Sequence, residues 1–144
     1  MNIMVKKLTN TATIPVFESK GAVGADLSAD ITQAIYIRPH ETVKIPTGIA
    51  MSFPELTYGE VYARSGIATK QGLRPANCVG IIDNDYRGEI IVAIHNDSDE
   101  IRIIEPQQRI AQLIIRSYII SEFVETDELD QTERGEGGFG STGK

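Results

Sequence analysis

What most constrains this chain is a series of short β-branched and aromatic runs, each closed by proline, glycine or an Asn/Asp-rich turn. No 3.6-residue apolar stripe is long enough for a substantial amphipathic helix. The runs fall at 3–8, 34–37, 42–45, 48–53, 59–63, 78–82, 90–94, 101–104, 109–116 and 118–124, and Pro15, Pro39, Pro46, Pro54 and Pro106 punctuate them. Strands this short and this regularly spaced predict an all-β sandwich, jelly roll or barrel. One helix is expected at 63–72, with Ser65 as its N-cap and Gly72 as its stop. A chain of 144 residues makes one domain, burying about 70% of its unfolded surface.

Composition narrows the function. A net charge of −6 and an acidic pI near 4.9 argue against a surface built for the many phosphates of a nucleic-acid polymer, while leaving room for a small anion held locally. No apolar run approaches the roughly 18 residues a membrane span needs, so no membrane partner is expected. The single cysteine makes neither an intrachain disulfide nor a zinc cluster, and His40 and His95 lack metal-ligand spacing. Residues 1–7 have no long apolar centre, so a cytoplasmic location is expected.

Five stretches carry chemistry. In 77–89, Asn-Cys-Val-Gly-Ile-Ile-Asp-Asn-Asp-Tyr-Arg-Gly-Glu, two apolar runs flank a turn bearing Asp83, Asp85 and Tyr86, which reads as a β-hairpin tip. At 24–29 a lone carboxylate, Asp26, sits among small and apolar residues at a strand start. In 63–72, Arg64 and Ser65 precede a helix whose first amides favour an anion. At 109–115 an apolar strand is interrupted by Gln112, whose amide can donate to a phosphate oxygen and accept from water. The 134–144 tail combines five glycines with Arg134 and Phe139. Taken singly, each has a plain structural reading: a surface hairpin, an Asx turn, a capped helix, a polar-facing glutamine, a disordered tail.

Together and in this order, the five resemble the signatures of the trimeric dUTPases. The copy departs at Ala25, where an aromatic residue is common, and at Ala63, where proline usually precedes Arg-Ser-Gly. The resemblance implies a jelly-roll-like distorted β-barrel over 1–125, a C-terminal arm with a flexible glycine-rich lid over 126–144, and a homotrimer whose arm closes over a neighbouring subunit's site. It implies hydrolysis of dUTP to dUMP and pyrophosphate with Mg²⁺. Uracil would be read by Asn77 and by the main chain around Gly80, Ile81, Ile82 and Ile91, with Tyr86 against the deoxyribose. Asp83 would activate the attacking water, although the residues alone do not separate it from Asp85. Arg64, Ser65, Gly66 and Gln112 would meet phosphate, and Asp26 would reach the metal through water. Phe139 would stack on uracil, Arg134 would meet the γ-phosphate, and Gly140, Ser141 and Thr142 would wrap the triphosphate. The alternatives are a dCTP-deaminating relative, which would release ammonia, and a catalytically silent trimeric binding module.

Overall fold

The computed structural model describes residues 1–138. In chain order the described elements are β1 (Met4–Lys7), β2 (Ala25–Ser28), β3 (Ile35–Ile37), β4 (Thr42–Ser52), β5 (Thr57–Tyr62), α1 (Ser65–Gln71), β6 (Leu73–Pro75), β7 (Gly80–Ile82), β8 (Glu89–Asn96), β9 (Arg102–Ile104) and β10 (Arg109–Ser117). One sheet runs β1-β4-β8-β6, a second β2-β10-β5-β7, and β3 pairs with β9. The strand pairings are antiparallel. The all-β, jelly-roll reading with one short helix holds.

Period-2 alternation builds the core. Along β8, Ile90, Val92 and Ile94 turn inward, and they meet Leu27, Ile45, Ile49, Leu73, Ile104 and Ile110. Each such side chain contributes about 1.5–3 kcal/mol on burial. Asn96 continues the inward face although it is polar. Its amide donates to the carbonyls of Ile37 at 3.0 Å, Arg38 at 3.1 Å and Glu100 at 2.8 Å, tying the small sheet to the first.

The structure corrects several local expectations. Runs 42–45 and 48–53 are one strand, because Pro46 sits at a register shift between Pro46 and Ala50. Proline is tolerated in a strand at such a bulge. Gly48 takes a left-handed φ of 67° there, and a Cβ would run into the Asp30 carboxylate. Ser65 is the first helical residue rather than the cap. Arg64 holds the N-cap position in extended conformation, with no side-chain cap bond, while Gly72 stops the helix at φ 68° as expected. The strand expected at 118–124 does not form. Pairing ends at Ser117, and beyond the bond from Tyr118 N to Leu56 O at 3.0 Å no neighbouring strand among the described residues takes up the main-chain groups. Conversely, β6 escapes the sequence reading because it is three residues long and ends on Pro75.

Candidate active site

The expected hairpin at 78–94 is not a paired hairpin. β7 pairs with β5 in the second sheet, whereas β8 pairs with β4 and β6 in the first. The two arms diverge, and between them lies a cavity of about 240 Å³ lined by Val61, Asn77, Gly80, Ile81, Ile82, Asp83, Tyr86, Glu89, Ile90, Ile91, Val92 and Ala93. Ligand pockets commonly span about 300–1,000 Å³, so this one is small, sized for part of a nucleotide and not the whole.

The loop across its mouth is rigidly tied. Asn84 Nδ2 donates to Pro54 O at 2.6 Å and Thr57 O at 3.0 Å. An Arg87 terminal nitrogen donates to Asn84 O at 2.7 Å and Tyr86 O at 2.9 Å. Tyr86 OH donates to Glu89 O at 3.0 Å, and a Cβ on Gly88 would overlap the Tyr86 ring and hydroxyl. Gly80 is equally constrained: a Cβ would lie 3.2 Å from both Asn77 Nδ2 and Val61 Cβ. The Asn77 side chain itself bonds to no other described residue, so its amide is available to the cavity.

Geometry separates the two carboxylates that the sequence left equivalent. Asp83 borders both the cavity and an adjoining open cleft of about 510 Å³, which Tyr58, Ile81, Asn84, Asp85 and Tyr118 also line. Asp85 borders the outer cleft alone. Asp83 is therefore the carboxylate at the junction between an apolar slot and open solvent.

A second polar cluster lies across β2, β10 and β5, where Asp26, Gln112 and Tyr62 are register neighbours. Asp26 is buried, yet both its oxygens are paired: Arg64 Nε donates to Oδ1 at 2.7 Å and an Arg109 terminal nitrogen to Oδ2 at 3.0 Å. Burial of a charge is tolerable only with such partners. Glu18, 2.5 Å from the same Arg109 nitrogen, contributes most to holding Arg109 protonated, with Asp26 second among the acids. Arg64 keeps its two terminal nitrogens free of bonds to other described residues while Asp26 fixes its Nε. Gln112 Nε2 donates to Ala63 O at 2.9 Å, and Gly24 leaves the room it needs, since a Cβ there would lie 2.5 Å from Gln112 Oε1. Ser65 and Gly66 are exposed next to Arg64. Apart from its chain neighbours and its own helix backbone, nothing among the described residues lies within 4 Å of a Cβ on Gly66.

The structure thus gathers Asn77, Gly80, Ile81, Ile82, Asp83, Tyr86 and Ile91 around one cavity, and Asp26, Arg64 and Gln112 in a separate cluster that contributes nothing to its lining. Arg134 is exposed in a local turn, its Nε on Gly137 O at 2.9 Å. Phe139, Gly140, Ser141 and Thr142 lie outside the described residues. The sequence reading missed Val61, Glu89, Ile90, Val92 and Ala93 as cavity walls, and Arg109 as the second partner of Asp26. Pairing of β10 with β2 would have exposed the last of these, but register is not legible from the sequence.

The dUTPase family profile matches residues 10–143, a span containing all of these groups. The chain belongs to the dUTPase family. It is 49% identical over 131 residues to the deoxyuridine 5'-triphosphate nucleotidohydrolase of Desulfitobacterium hafniense strain DSM 10664 / DCB-2, covering 90% of this chain and 87% of that one. It is 46% identical over 143 residues to the protein of that name from Hydrogenobaculum sp. strain Y04AAS1, covering 99% of each. Among solved structures, the G164S mutant of a Staphylococcus bacteriophage 80alpha dUTPase with dUpNHpp superposes with a TM-score of 0.86 at 28% identity, over 99% of both chains. No described helix is long and apolar enough to cross a membrane.

Proposed function

We propose that this dUTPase family member hydrolyses dUTP to dUMP and pyrophosphate, with the cavity between β7 and β8 taking the uracil and Asp83 serving the reaction at its mouth. The observation that carries this reading is that the divergence of the two arms places the unbonded Asn77 amide and the Asp83 carboxylate on one 240 Å³ cavity.

Selectivity follows from pairing. The Asn77 amide and the main chain at Gly80, Ile81, Ile82 and Ile91 read the edge of uracil; cytosine reverses the donor and acceptor pattern, and each unpaired buried group costs about 1–3 kcal/mol. A 5-methyl group meets the wall, which excludes thymine. Tyr86, held by Glu89 O and lying over Gly88, packs on the deoxyribose and leaves no space for a 2′-hydroxyl. Asp83 accepts a proton from water as the water oxygen bonds to the α-phosphorus and the bond to the pyrophosphate oxygen breaks. General-base help of this kind contributes about 10²–10⁴-fold.

Arg64, oriented through its Nε, presents its remaining nitrogens to phosphate together with the Ser65 hydroxyl, the Gly66 amide and Gln112. The donor set fits Mg²⁺ carried in by the substrate, because that ion keeps several waters and takes few protein carboxylates, and Asp26, already paired twice, suits a contact through water. Bound there, Mg²⁺ would neutralise charge on the phosphates.

A single chain keeps the cavity and the phosphate cluster apart, which supports a homotrimer with each site assembled from several copies. The bare side chains of Ile119, Ile120, Phe123, Val124 and Leu129 support the same reading. The barrel comprises 1–125 and the arm 126–144; from the arm Arg134 meets the γ-phosphate, Phe139 stacks on the base, and Gly140, Ser141 and Thr142 wrap the triphosphate. The enzyme acts in the cytoplasm, without nucleic-acid or membrane partners. No observation favours the dCTP-deaminating or the silent alternative. The test is pyrophosphate release from dUTP, dTTP, dCTP and UTP, with and without Mg²⁺: release from dUTP alone is expected, and ammonia from dCTP or no pyrophosphate from dUTP would overturn the reading.

A further inference from the structure

Asn77 stands at the centre of base selection, yet its side chain bonds to nothing else described, so its aim depends wholly on the main chain of the turn between β6 and β7. That turn is not self-supporting. Cys78 takes a left-handed φ of 62°, an unfavourable backbone state for a residue other than glycine. Three amides hold it, Ala76 N to Ala93 O at 2.7 Å, Cys78 N to Pro75 O at 3.1 Å and Val79 N to Asn77 O at 2.7 Å, but no main-chain amide among the described residues donates to the Ala76 carbonyl.

Arg74, on the strand before the turn, supplies what is missing. One terminal nitrogen points at Pro75 O at 3.3 Å, Ala76 O at 3.4 Å and Cys78 Sγ at 3.3 Å. Those contacts are long, and a mobile guanidinium would not maintain them. Its Nε and other terminal nitrogen, however, are clamped by Asp97 in a fork at 2.6 and 3.0 Å. Asp97 is itself fixed, its main-chain amide on Gly72 O at 2.8 Å. A planar fork held on one side aims the remaining nitrogen in one direction, which a flexible ammonium cannot do.

We propose that Arg74, clamped by Asp97, is a positioning residue for uracil selection: it holds the 75–78 turn in the conformation that aims Asn77 into the cavity. This rests on the dUTP reading above and adds a specificity determinant outside the cavity lining. Arg74→Ala is expected to raise KM for dUTP about tenfold and to cut the preference for dUTP over dCTP by a similar factor, with kcat changed by no more than about twofold. Asp97→Asn keeps the shape and weakens the clamp, so it should move KM and preference the same way by less, and it remains informative should Arg74→Ala fail to fold. Arg102→Ala is the control: Arg102 Nε is bonded to Ser98 Oγ at 3.0 Å on the same loop as Asp97 without touching the turn, and that variant should lose some thermal stability while KM and preference stay put. If Arg74→Ala and Asp97→Asn shift only the melting temperature, as the control does, while wild type hydrolyses dUTP selectively, this inference falls and the dUTP reading stands. Wild type inactive on dUTP removes both.

Discussion

In the cavity between β7 and β8 the Asn77 and Asp83 side chains are left open, whereas around Asp26 the polar groups are already occupied. Asn77 and Asp83 have no side-chain partner among the described residues, while Asp26 spends both oxygens on Arg64 and Arg109 and Gln112 spends its amide on Ala63 O. The difference tracks burial. Asp83 is exposed to water, which solvates its charge, but Asp26 is inside the sheet, where an unpaired carboxylate would cost several kcal/mol. One region therefore keeps two polar side chains without partners among the described residues, and the other is an ion-paired frame in which Arg64 is held through its Nε.

The sharpest way to break this comparison is Asp83→Asn. An exposed, unpaired carboxylate should be removable without damage to the fold, so turnover should fall by about 10²-fold or more at nearly unchanged KM and melting temperature. Steady-state kinetics checks it, and unchanged turnover would place the base elsewhere. Arg64→Ala should behave in the opposite manner. It strips a phosphate donor and half of the Asp26 pairing together, so KM for dUTP should rise about tenfold or more and stability should fall by about 1–3 kcal/mol, measured by kinetics and denaturant unfolding. Gly80→Ala probes the tightness of the cavity. Its new Cβ would press on the Asn77 amide and on Val61, and a KM increase of a few-fold with about 1 kcal/mol of destabilisation is expected.

The smallest effect concerns Glu60, which meets two neutral hydroxyls and, at 3.5 Å, the Arg116 Nε. Glu60 is buried on the same face of β5 as Tyr62, and hydrogen bonds from Tyr58 OH at 2.6 Å and Tyr62 OH at 2.8 Å hold its carboxyl below the usual 4.5, Tyr58 contributing most. Because the folded value is depressed, this stabilisation is complete above the unfolded value and is lost as pH falls through the folded one. As pH falls below about 4.5 the wild-type melting temperature should thus drop more steeply than that of Glu60→Gln. Parallel profiles would show that the tyrosines do not favour the charged form.

Much of the site was legible because its residue types are improbable together. Asn77, Asp83 and Tyr86 occur within ten positions; turn chemistry places Asp83 and Tyr86 on one loop, whereas Asn77, in the preceding turn across β7, was singled out only by the family resemblance. What did not show was which side of the molecule β7 and β8 belong to. Two apolar runs joined by a turn normally pair, yet β7 adds to β5 and β8 to β4, and a cavity replaces the hairpin's hydrogen bonds. The 118–124 run failed for a related reason: its composition favours a strand, but a strand needs a neighbour, and none is offered among the described residues. The Ser65 cap failed more narrowly, since N-cap geometry belongs to the extended residue and Arg64 is the extended one.

The sequence by itself determined that this chain is all-β, where most of its strands break, and which stretches resemble the dUTPase signatures, because those properties reside in local propensity, residue type and the order of short motifs. Only the tertiary structure decided which strands share a sheet, that Asp26 is enclosed by two arginines, and that Asp83 rather than Asp85 borders the cavity. These depend on register and on contacts between residues as far apart as Asp26 and Arg109, which no local pattern specifies.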